Sequence, residues 1–231
     1  MDTYCPPSPP LRALLAALVL GLAALPAGAD GALSRVSWFA HGSILFFLED
    51  NGMESDPMPV LPSLGVGISY PVADTLRLEF TMDFYTTHYG FSHSLNRPVP
   101  VAIENRTARV MGFLMALQLS RHFDITRNAT IRAFGGPAAD FRAVFAASGL
   151  GGGLDDMAQV RRDTDLVRSY FWSQGRWFMP VAGVGADYAV SPDIRLGLDF
   201  RVWMPAYRLW TRENLPAVEG WRFGPGIRIT I

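Results

Sequence analysis

The residues best suited to chemistry in this chain gather in one stretch, "HYGFSHSLN" (88–96). Histidine beside serine is a pairing used in nucleophilic hydrolysis, in which the imidazole takes the proton of the hydroxyl. His88 and His93 with Ser92 and Ser94 supply two members of such an arrangement, but on a predicted loop and with no acid placed to orient the histidine. Two histidines without a third ligand make an equally weak metal site. The sequence predicts no catalytic residue, no metal site, no cofactor and no enzyme activity.

Composition excludes further classes of function. The chain has 20 basic residues, all of them arginine, and 21 acidic residues, which give a net charge of −1. A balance of this kind creates no overall field that would attract nucleic acid or anionic lipid. The sequence contains no phosphate-binding loop, no Cys-x-x-Cys pair and no nucleic-acid motif. Nucleic acid is therefore not an expected partner.

An apolar stretch near the start, "LRALLAALVLGLAALPAGA" (11–29), ends in the small residues Ala27-Gly28-Ala29. This pattern is typical of a secretory signal peptide. We therefore predict a signal peptide over 1–29 and an exported domain over 30–231. The single cysteine, Cys5, lies in the predicted signal peptide, so the exported domain must be held together without disulfides.

The exported domain alternates apolar and polar residues with a period of two. In "LRLEFTMDFYT" (76–86), Leu, Phe and Met side chains share one face, and Arg, Glu, Thr, Asp and Tyr side chains share the other. This alternation is typical of a β-strand whose two faces meet different surroundings. It predicts eight strands, over 34–48, 63–70, 76–86, 111–120, 130–145, 176–190, 195–204 and 220–231.

The connections between these segments alternate in length. Three short turns contain Asp, Asn or Pro, as turns require, and they alternate with four longer connections. The short turns cover 71–75, 123–128 and 191–193, and the longer connections cover 49–59, 87–107, 146–175 and 210–219. This layout predicts an all-β fold, an eight-stranded antiparallel up-and-down β-barrel with short turns at one rim and long loops at the other.

The two faces of the strands decide which side of the barrel is outside. An eight-stranded barrel encloses just enough room for packed side chains, and bulky Phe and Leu residues from every strand would overfill it. The sequence thus predicts a transmembrane barrel with its apolar face toward lipid. Buried charges need partners. We expect the inward charges near the short-turn rim to form one lumen charge network: Arg77, Glu79, Arg132, Asp187, Arg195, Asp199 and Arg228.

Nearer to the long-loop rim, the inward positions become apolar. An apolar cup above a charged floor suits a small hydrophobic ligand; packing of the loops into the barrel mouth is the alternative. Pro180 and Pro205 remove ladder hydrogen bonds at nearly the same height on neighbouring strands, which suggests a local gap in the wall. The expected ligand-binding residues of the cup are Phe47, Tyr85, Met179, Val181, Trp203 and Tyr207.

The longest connection contains "DDMAQVRRDTDLVRSYF" (155–171). Five residues in it recur at alternating spacings of three and four, which places them on one face of a helix: Met157, Val160, Thr164, Val167 and Phe171. Asp155 and Asp156 lie at its start, where the helix dipole favours negative charge. We therefore predict a loop helix over 155–171 that lies over the barrel mouth, with binding of a partner as the alternative role.

The signal peptide, the eight alternating segments, the unequal rims and the apolar last strand, "WRFGPGIRITI" (221–231), resemble the small eight-stranded outer-membrane barrels. These are the OmpA-transmembrane, OmpX, opacity-protein and OmpW families, and a spirochaetal member fits the sequence. The expected cup and the strand prolines are most similar to the OmpW type. The resemblance implies a location in the cell outer membrane, with outer-membrane lipid and the outer-membrane assembly machinery as partners.

Two functions follow as expectations. The first, implied by the OmpW resemblance, is passive transfer or binding of a small hydrophobic molecule through the apolar upper lumen. The second is a surface-exposed adhesin or interaction protein whose long loops, notably 146–175, bind host or envelope partners.

Overall fold

The computed structural model describes residues 35–49, 59–101, 108–146, 154–211 and 218–231. The chain divides into two units, Met1–Val36 and Ser37–Ile231. Only Arg35 and Val36 of the first unit are described, so the predicted signal peptide over 1–29 lies outside the described residues. The fold below is that of the second unit.

The described residues of the second unit form ten strands. They are β1 (Ser37–Phe47), β2 (Val60–Ala73), β3 (Leu76–Ser92), β4 (Arg97–Pro100), β5 (Ala108–Asp124), β6 (Ala129–Gly136), β7 (Ala138–Ala146), β8 (Val181–Ala189), β9 (Arg195–Trp203) and β10 (Arg222–Thr230). Helix α1 spans Leu154–Trp172, a 3₁₀ turn follows at Ser173–Gly175, and α2 spans Arg208–Thr211.

These strands form a closed barrel of eight barrel strands. β6 and β7 together count as one barrel strand, interrupted at Pro137, and β4 only forms a hairpin with the end of β3. Each barrel strand pairs antiparallel with the next, and β1 closes the barrel against β10. The predicted eight-stranded up-and-down barrel is therefore confirmed. Among the described helices, none is long and apolar enough to cross a membrane.

Several boundaries differ from the sequence prediction. β3 and β5 extend beyond the predicted ends at Thr86 and Met111, so part of the predicted loop 87–107 is paired strand. β8 begins at Val181 and not at residue 176, because the preceding residues leave the 3₁₀ turn and make only an isolated bridge, Ala139 to Phe178. Strand length at the long-loop rim depends on which neighbours are available to pair, and alternation alone does not carry that information.

The outward face is apolar and exposed around the barrel. Leu64, Leu198 and Ile227 are 73%, 65% and 59% exposed, although each lies in the middle of a strand. Their inward neighbours are polar and buried, for example Ser63 and Asp199. The apolar face therefore points outward, as predicted from its bulk.

Inward glycines make room for the large polar side chains of the lumen. A methyl group at Gly185 would lie 2.6 Å from Asp199 Oδ1 and 2.9 Å from Arg132 Nη2. A methyl group at Gly65 would overlap the His41 imidazole. Such contacts are shorter than packed atoms allow, so the alternation of glycine with charge on neighbouring strands is what lets the lumen be filled.

The wall is completed differently near the long-loop rim. Above Gly136 the outer edge of β7 has no strand partner among the described residues, since β8 ends its pairing there. Helix α1 takes that place: Trp172 Nε1 donates to Arg142 O at 3.2 Å, and Arg168 Nη2 donates to Val144 O at 3.0 Å. Side chains of a helix thus satisfy carbonyl groups that a strand would otherwise bind.

The predicted gap at the two prolines is wrong. Met179 N–H donates to Ala138 O at 2.9 Å, and Met204 N–H donates to Pro180 O at 2.8 Å, so backbone bonds flank Pro180 on both sides. Pro205 lies beyond the end of β9, at the start of the turn into α2. Both prolines occur where strands end, which is where proline removes the fewest ladder bonds.

Candidate functional site

The half of the lumen near the short-turn rim holds a continuous set of ion pairs, here called the lower network. It consists of His41, Glu79, Asp83, Arg132, Asp187, Asp199, Arg201 and Arg228, all of them buried. Its residues lie on the inward faces of six strands, with Glu79 and Asp83 both on β3 and Asp199 and Arg201 both on β9, and the ladder register brings them close together.

Two arginines pair the predicted members of the lower network. Arg228 binds Glu79 with two bonds, Nη1 to Oε2 and Nη2 to Oε1, each 3.0 Å long. Arg132 Nε donates to Asp187 Oδ2 at 2.7 Å, and Arg132 Nη2 donates to Asp199. Bidentate hydrogen bonds between a guanidinium and a carboxylate are among the strongest that side chains form. Arg132 therefore joins β6 to β8 and β9.

The other two predicted members lie apart. Arg77 is half-buried and Arg195 is exposed at the short-turn rim. Among the described residues, no carboxylate lies within ion-pairing distance of either guanidinium. The structure thus brings together five of the seven residues that the sequence grouped.

Three members of the lower network were not predicted. Arg201 Nη1 lies 3.1 Å from Asp83 Oδ2, and Arg201 Nη2 lies 3.0 Å from Asp199 Oδ2. The His41 ring contacts Asp83 and lies 3.0 Å from Arg201 Nη1. Asp83 and Arg201 occupy the polar face of their segments in the sequence, so their parity was a usable signal. His41 lies in a segment whose alternation is less regular.

The six predicted ligand-binding residues lie above the lower network. Phe47, Tyr85, Met179, Val181 and Trp203 are 0–2% exposed and pack in one apolar cluster, whereas Tyr207 is 8% exposed and lies beside it. The Phe47 and Tyr85 rings meet edge to face at 5.1 Å. We call this cluster the apolar layer. Its side chains fill the lumen against one another, and the predicted open cup is replaced by a packed layer.

A second polar group adjoins the apolar layer, and we call it the upper cluster: Glu49, Tyr89, Asp140, Arg142 and Arg222, together with the hydroxyl of Tyr85, whose ring belongs to the apolar layer. Asp140 is its centre. It accepts bonds from Tyr85 Oη at 2.8 Å and from Arg142 Nε at 2.5 Å, and it lies 2.8 Å from Arg222 Nη2. The alternation in the sequence does not predict this group as a set, because its members come from distant segments.

Glu49 follows β1 and turns inward at the rim. Its Oε2 accepts a 2.5 Å bond from Tyr89 Oη, and its Oε1 lies 3.5 Å from Arg142 Nη2. Burial raises the pKa of the Glu49 carboxyl above its ordinary value, although Arg142 and the bond from Tyr89 act in the opposite direction. Burial also raises the pKa of Tyr207, which keeps its hydroxyl protonated.

A small cavity lies between the upper cluster and the long connections. Its volume is about 40 Å³, and Met179, Tyr207, Phe171 and Arg222 are among the residues that line it. A volume of this size holds a few water molecules. It is far smaller than the hydrophobic ligand expected from the sequence.

Helix α1 spans the segment in which a loop helix over 155–171 was expected. Val167 and Phe171 pack with Tyr89, Val110 and Val144 on the inward faces of β3, β5 and β7. The Arg142 guanidinium lies 4.0 Å above the Phe171 ring, which joins the helix to the upper cluster through a cation–π contact. The helix therefore both roofs the lumen and replaces part of its wall.

The histidine and serine stretch does not form a hydrolytic site in the described residues. His88 lies within β3 and not on a loop, which corrects the sequence interpretation. His93 Nε2 lies 3.5 Å from Asp163, but Ser92 Oγ and Ser94 Oγ bond each other at 3.0 Å. No group of three His, Cys, Asp or Glu residues in the described part of the chain is placed to hold a metal ion.

Comparison with known proteins finds likeness in structure alone. No family model and no curated protein matches the chain. Neisserial surface protein A is 11% identical, with 85% of this chain and 96% of that chain covered and a TM-score of 0.49. OprG, an outer membrane protein of Pseudomonas aeruginosa, is 11% identical, with 85% and 94% covered and a TM-score of 0.47.

A third similar structure is Ail, the attachment invasion locus protein of Yersinia pestis. It is 6% identical, with 84% of this chain and 94% of that chain covered and a TM-score of 0.42. These structures are small eight-stranded outer-membrane barrels, and the likeness of the chain to them is one of fold.

Proposed function

We propose that the protein is an outer-membrane barrel with a sealed lumen, which acts as an interaction protein through its roofed long-loop rim. The observation that carries this proposal is the filling of the lumen by the lower network, the packed apolar layer and the upper cluster. A barrel whose interior is occupied by its own paired side chains has no path for a solute. What it offers to other molecules is its outer surface and its rim.

The outward face supports a location in a membrane. Along β5 the outward residues between Arg109 and Arg121 are Met111, Phe113, Met115, Leu117 and Leu119, without a polar residue among them. Twelve residues of tilted strand span about 30 Å along the barrel axis, close to the roughly 25 Å apolar band of outer-membrane barrels. An exposed apolar surface of this extent is stable only when lipid covers it.

Transfer of a small hydrophobic molecule is the second candidate. One observation favours it: Met179 and Tyr207, two of the predicted ligand-binding residues, line the cavity beside the 3₁₀ turn. The cavity would have to widen considerably, which requires α1 or the connection after β9 to move away. In this second candidate function α1 moves to open the lumen, whereas in the first it stays packed over the lumen.

Channel conductance and dye uptake separate the two candidate functions. We expect purified protein in a planar lipid bilayer to show no stable open channel, and liposomes that contain it to take up a hydrophobic dye no faster than empty liposomes. Dye uptake that Trp203→Leu changes, with Trp210→Leu at the exposed rim as control, would replace the first candidate by the second. Folding of each variant is checked by heat-dependent migration on gels.

The interaction function is tested by a photo-crosslinking residue in intact cells. Placed at Arg161, on the exposed face of α1, it should form an adduct with one defined protein or glycan. The matched position is Leu198, which is 65% exposed on the outward face of β9 and should crosslink to lipid. Crosslinks to lipid at both positions would contradict an interaction role for the rim.

A further inference from the structure

The outward faces of β3, β5 and β7 differ from the rest of the barrel near the long-loop rim. Phe84, Phe113 and Phe141 are direct neighbours in the ladder, and they form a row across three strands. The Phe84 and Phe113 rings lie 5.3 Å apart. Trp172 of α1 extends the row, since its ring centroid is 5.8 Å from that of Phe141. The result is an aromatic row of four side chains.

Small side chains follow immediately above this row. The next outward positions are Thr86, Met111 and Ala143, which are also ladder neighbours. Two of these three side chains are short, so the row of Thr86, Met111 and Ala143 is less bulky than the aromatic row beside it.

Basic residues form the next row toward the rim. His88 and Arg109 are direct neighbours in the ladder, and Arg109 is in turn opposite Phe145. Arg168 of α1 reaches the far edge of β7, where it binds Val144 O and Asp165. Two basic side chains directly opposite each other repel when both are charged. In the part of the chain that the structure describes, no carboxylate lies within ion-pairing distance of Arg109.

This arrangement is confined to one side of the barrel. The described outward positions of β1, β2, β8, β9 and β10 carry no charged residue. Arg121 is the other outward arginine of β5, at the opposite end of the apolar band. There it lies opposite Leu76 and over the Phe123 ring, without a second basic neighbour in the ladder.

We propose that this face binds a phosphorylated glycolipid of the outer leaflet, with its phosphate between His88 and Arg109 and its acyl chains over the aromatic row. The inference rests on the proposed location in the outer membrane, with the long-loop rim outward. A phosphate can accept a hydrogen bond from the His88 imidazole and gives Arg109 the bidentate acceptor that guanidinium prefers. Aromatic rings at the apolar boundary then hold the upper part of the acyl chains.

The test is native mass spectrometry of the full exported barrel released from detergent with added lipid. The probes are lipid A with its phosphates, the same lipid A without phosphates, and phosphatidylglycerol. We expect one molecule of phosphorylated lipid A to be retained, and retention to fall about tenfold without the phosphates or in Arg109→Gln, the effect of losing one charge-assisted bond. Arg121→Gln, the matched change at the other end of β5, should retain lipid A like the unchanged protein.

Other outcomes overturn the inference. Equal retention of lipid A with and without phosphates, or by the Arg109→Gln and Arg121→Gln proteins, would show that no phosphate site exists at His88 and Arg109. Retention of phosphatidylglycerol as strong as that of lipid A would overturn the choice of a glycolipid. Insertion into liposomes is measured on the same samples. A protein that inserts but retains no lipid A loses this site and keeps the proposed function, whereas failure to insert contradicts the proposed function itself.

Discussion

The lower network and the upper cluster are both buried, but different structures enclose them. Every member of the lower network lies on a strand, and continuous ladders surround it. The upper cluster depends on Glu49, which follows β1, and on Phe171 of α1, and beside it the wall is a helix. The lower network is thus held by strands alone, whereas the upper cluster is held by strands together with one residue after β1 and a packed helix. We therefore expect the lower network to contribute more to the stability of the barrel, and the surroundings of the upper cluster to open more easily.

The largest effect is expected for Arg132→Met in the lower network. Arg132 is the only described ion-pair partner of Asp187, so the change leaves that carboxylate buried without compensation. Removal of one partner from a buried ion pair costs about 3–5 kcal/mol. Urea unfolding in lipid vesicles, followed by tryptophan fluorescence, should show this loss as a lower midpoint.

Arg222→Met is the matched change in the upper cluster. Asp140 loses Arg222 but keeps its bonds from Arg142 and Tyr85, so no carboxylate is left without a partner. We expect a loss of roughly 1–2 kcal/mol, in the range of one charged hydrogen bond. If Arg222→Met destabilises the barrel as much as Arg132→Met does, the two regions do not differ in the way described above.

The sequence could predict the lower network better than the upper cluster for a physical reason. Alternation is local, and parity assigns Asp199 to the inward face of a regular segment and Arg132 and Asp187 to the inward face of less regular ones. The eight-stranded barrel follows from the same local signals and from the turn residues. Partners in the upper cluster, by contrast, meet only after strand register and the break at Pro137 have set their heights.

The residue spacing in 155–171 does not predict that α1 replaces part of the barrel wall, for a related reason. The spacing in 155–171 predicts a helix with one stripe, and the structure uses that stripe against the inward strand faces. That the helix also replaces a wall depends on where β8 begins, and this in turn depends on the 3₁₀ turn before it. The packing of the six predicted ligand-binding residues was not predictable either, because parity shows which side chains point inward but not how completely they fill the space between them.

A smaller effect is expected where the helix replaces the wall. Trp172→Ala removes the bond to Arg142 O and the contact with the Phe141 ring. We expect local opening of the β7 edge to become easier by about 1–2 kcal/mol, with little change in global unfolding. Amide exchange over 142–146 should accelerate while exchange in β9 stays constant. Gln159→Ala, on the exposed face of α1, is the control, and equal acceleration by both changes would show that the helix acts without the Trp172 bond.

The smallest effect is a pH dependence of the upper cluster. Because burial raises the pKa of Glu49 in the folded protein, the folded state binds this proton more tightly than the unfolded state does. Stability from this group is therefore present at low pH and is lost as pH rises through the raised pKa. Protection of α1 amides, corrected for intrinsic exchange rates, should be greater at pH 5 than at pH 8. Glu49→Gln should remove the difference, whereas Asp165→Asn on the exposed side of α1, where the partner is Arg168, should leave it unchanged. A pH difference that persists in Glu49→Gln would assign it to another group, and the upper cluster would then be as fixed as the lower network.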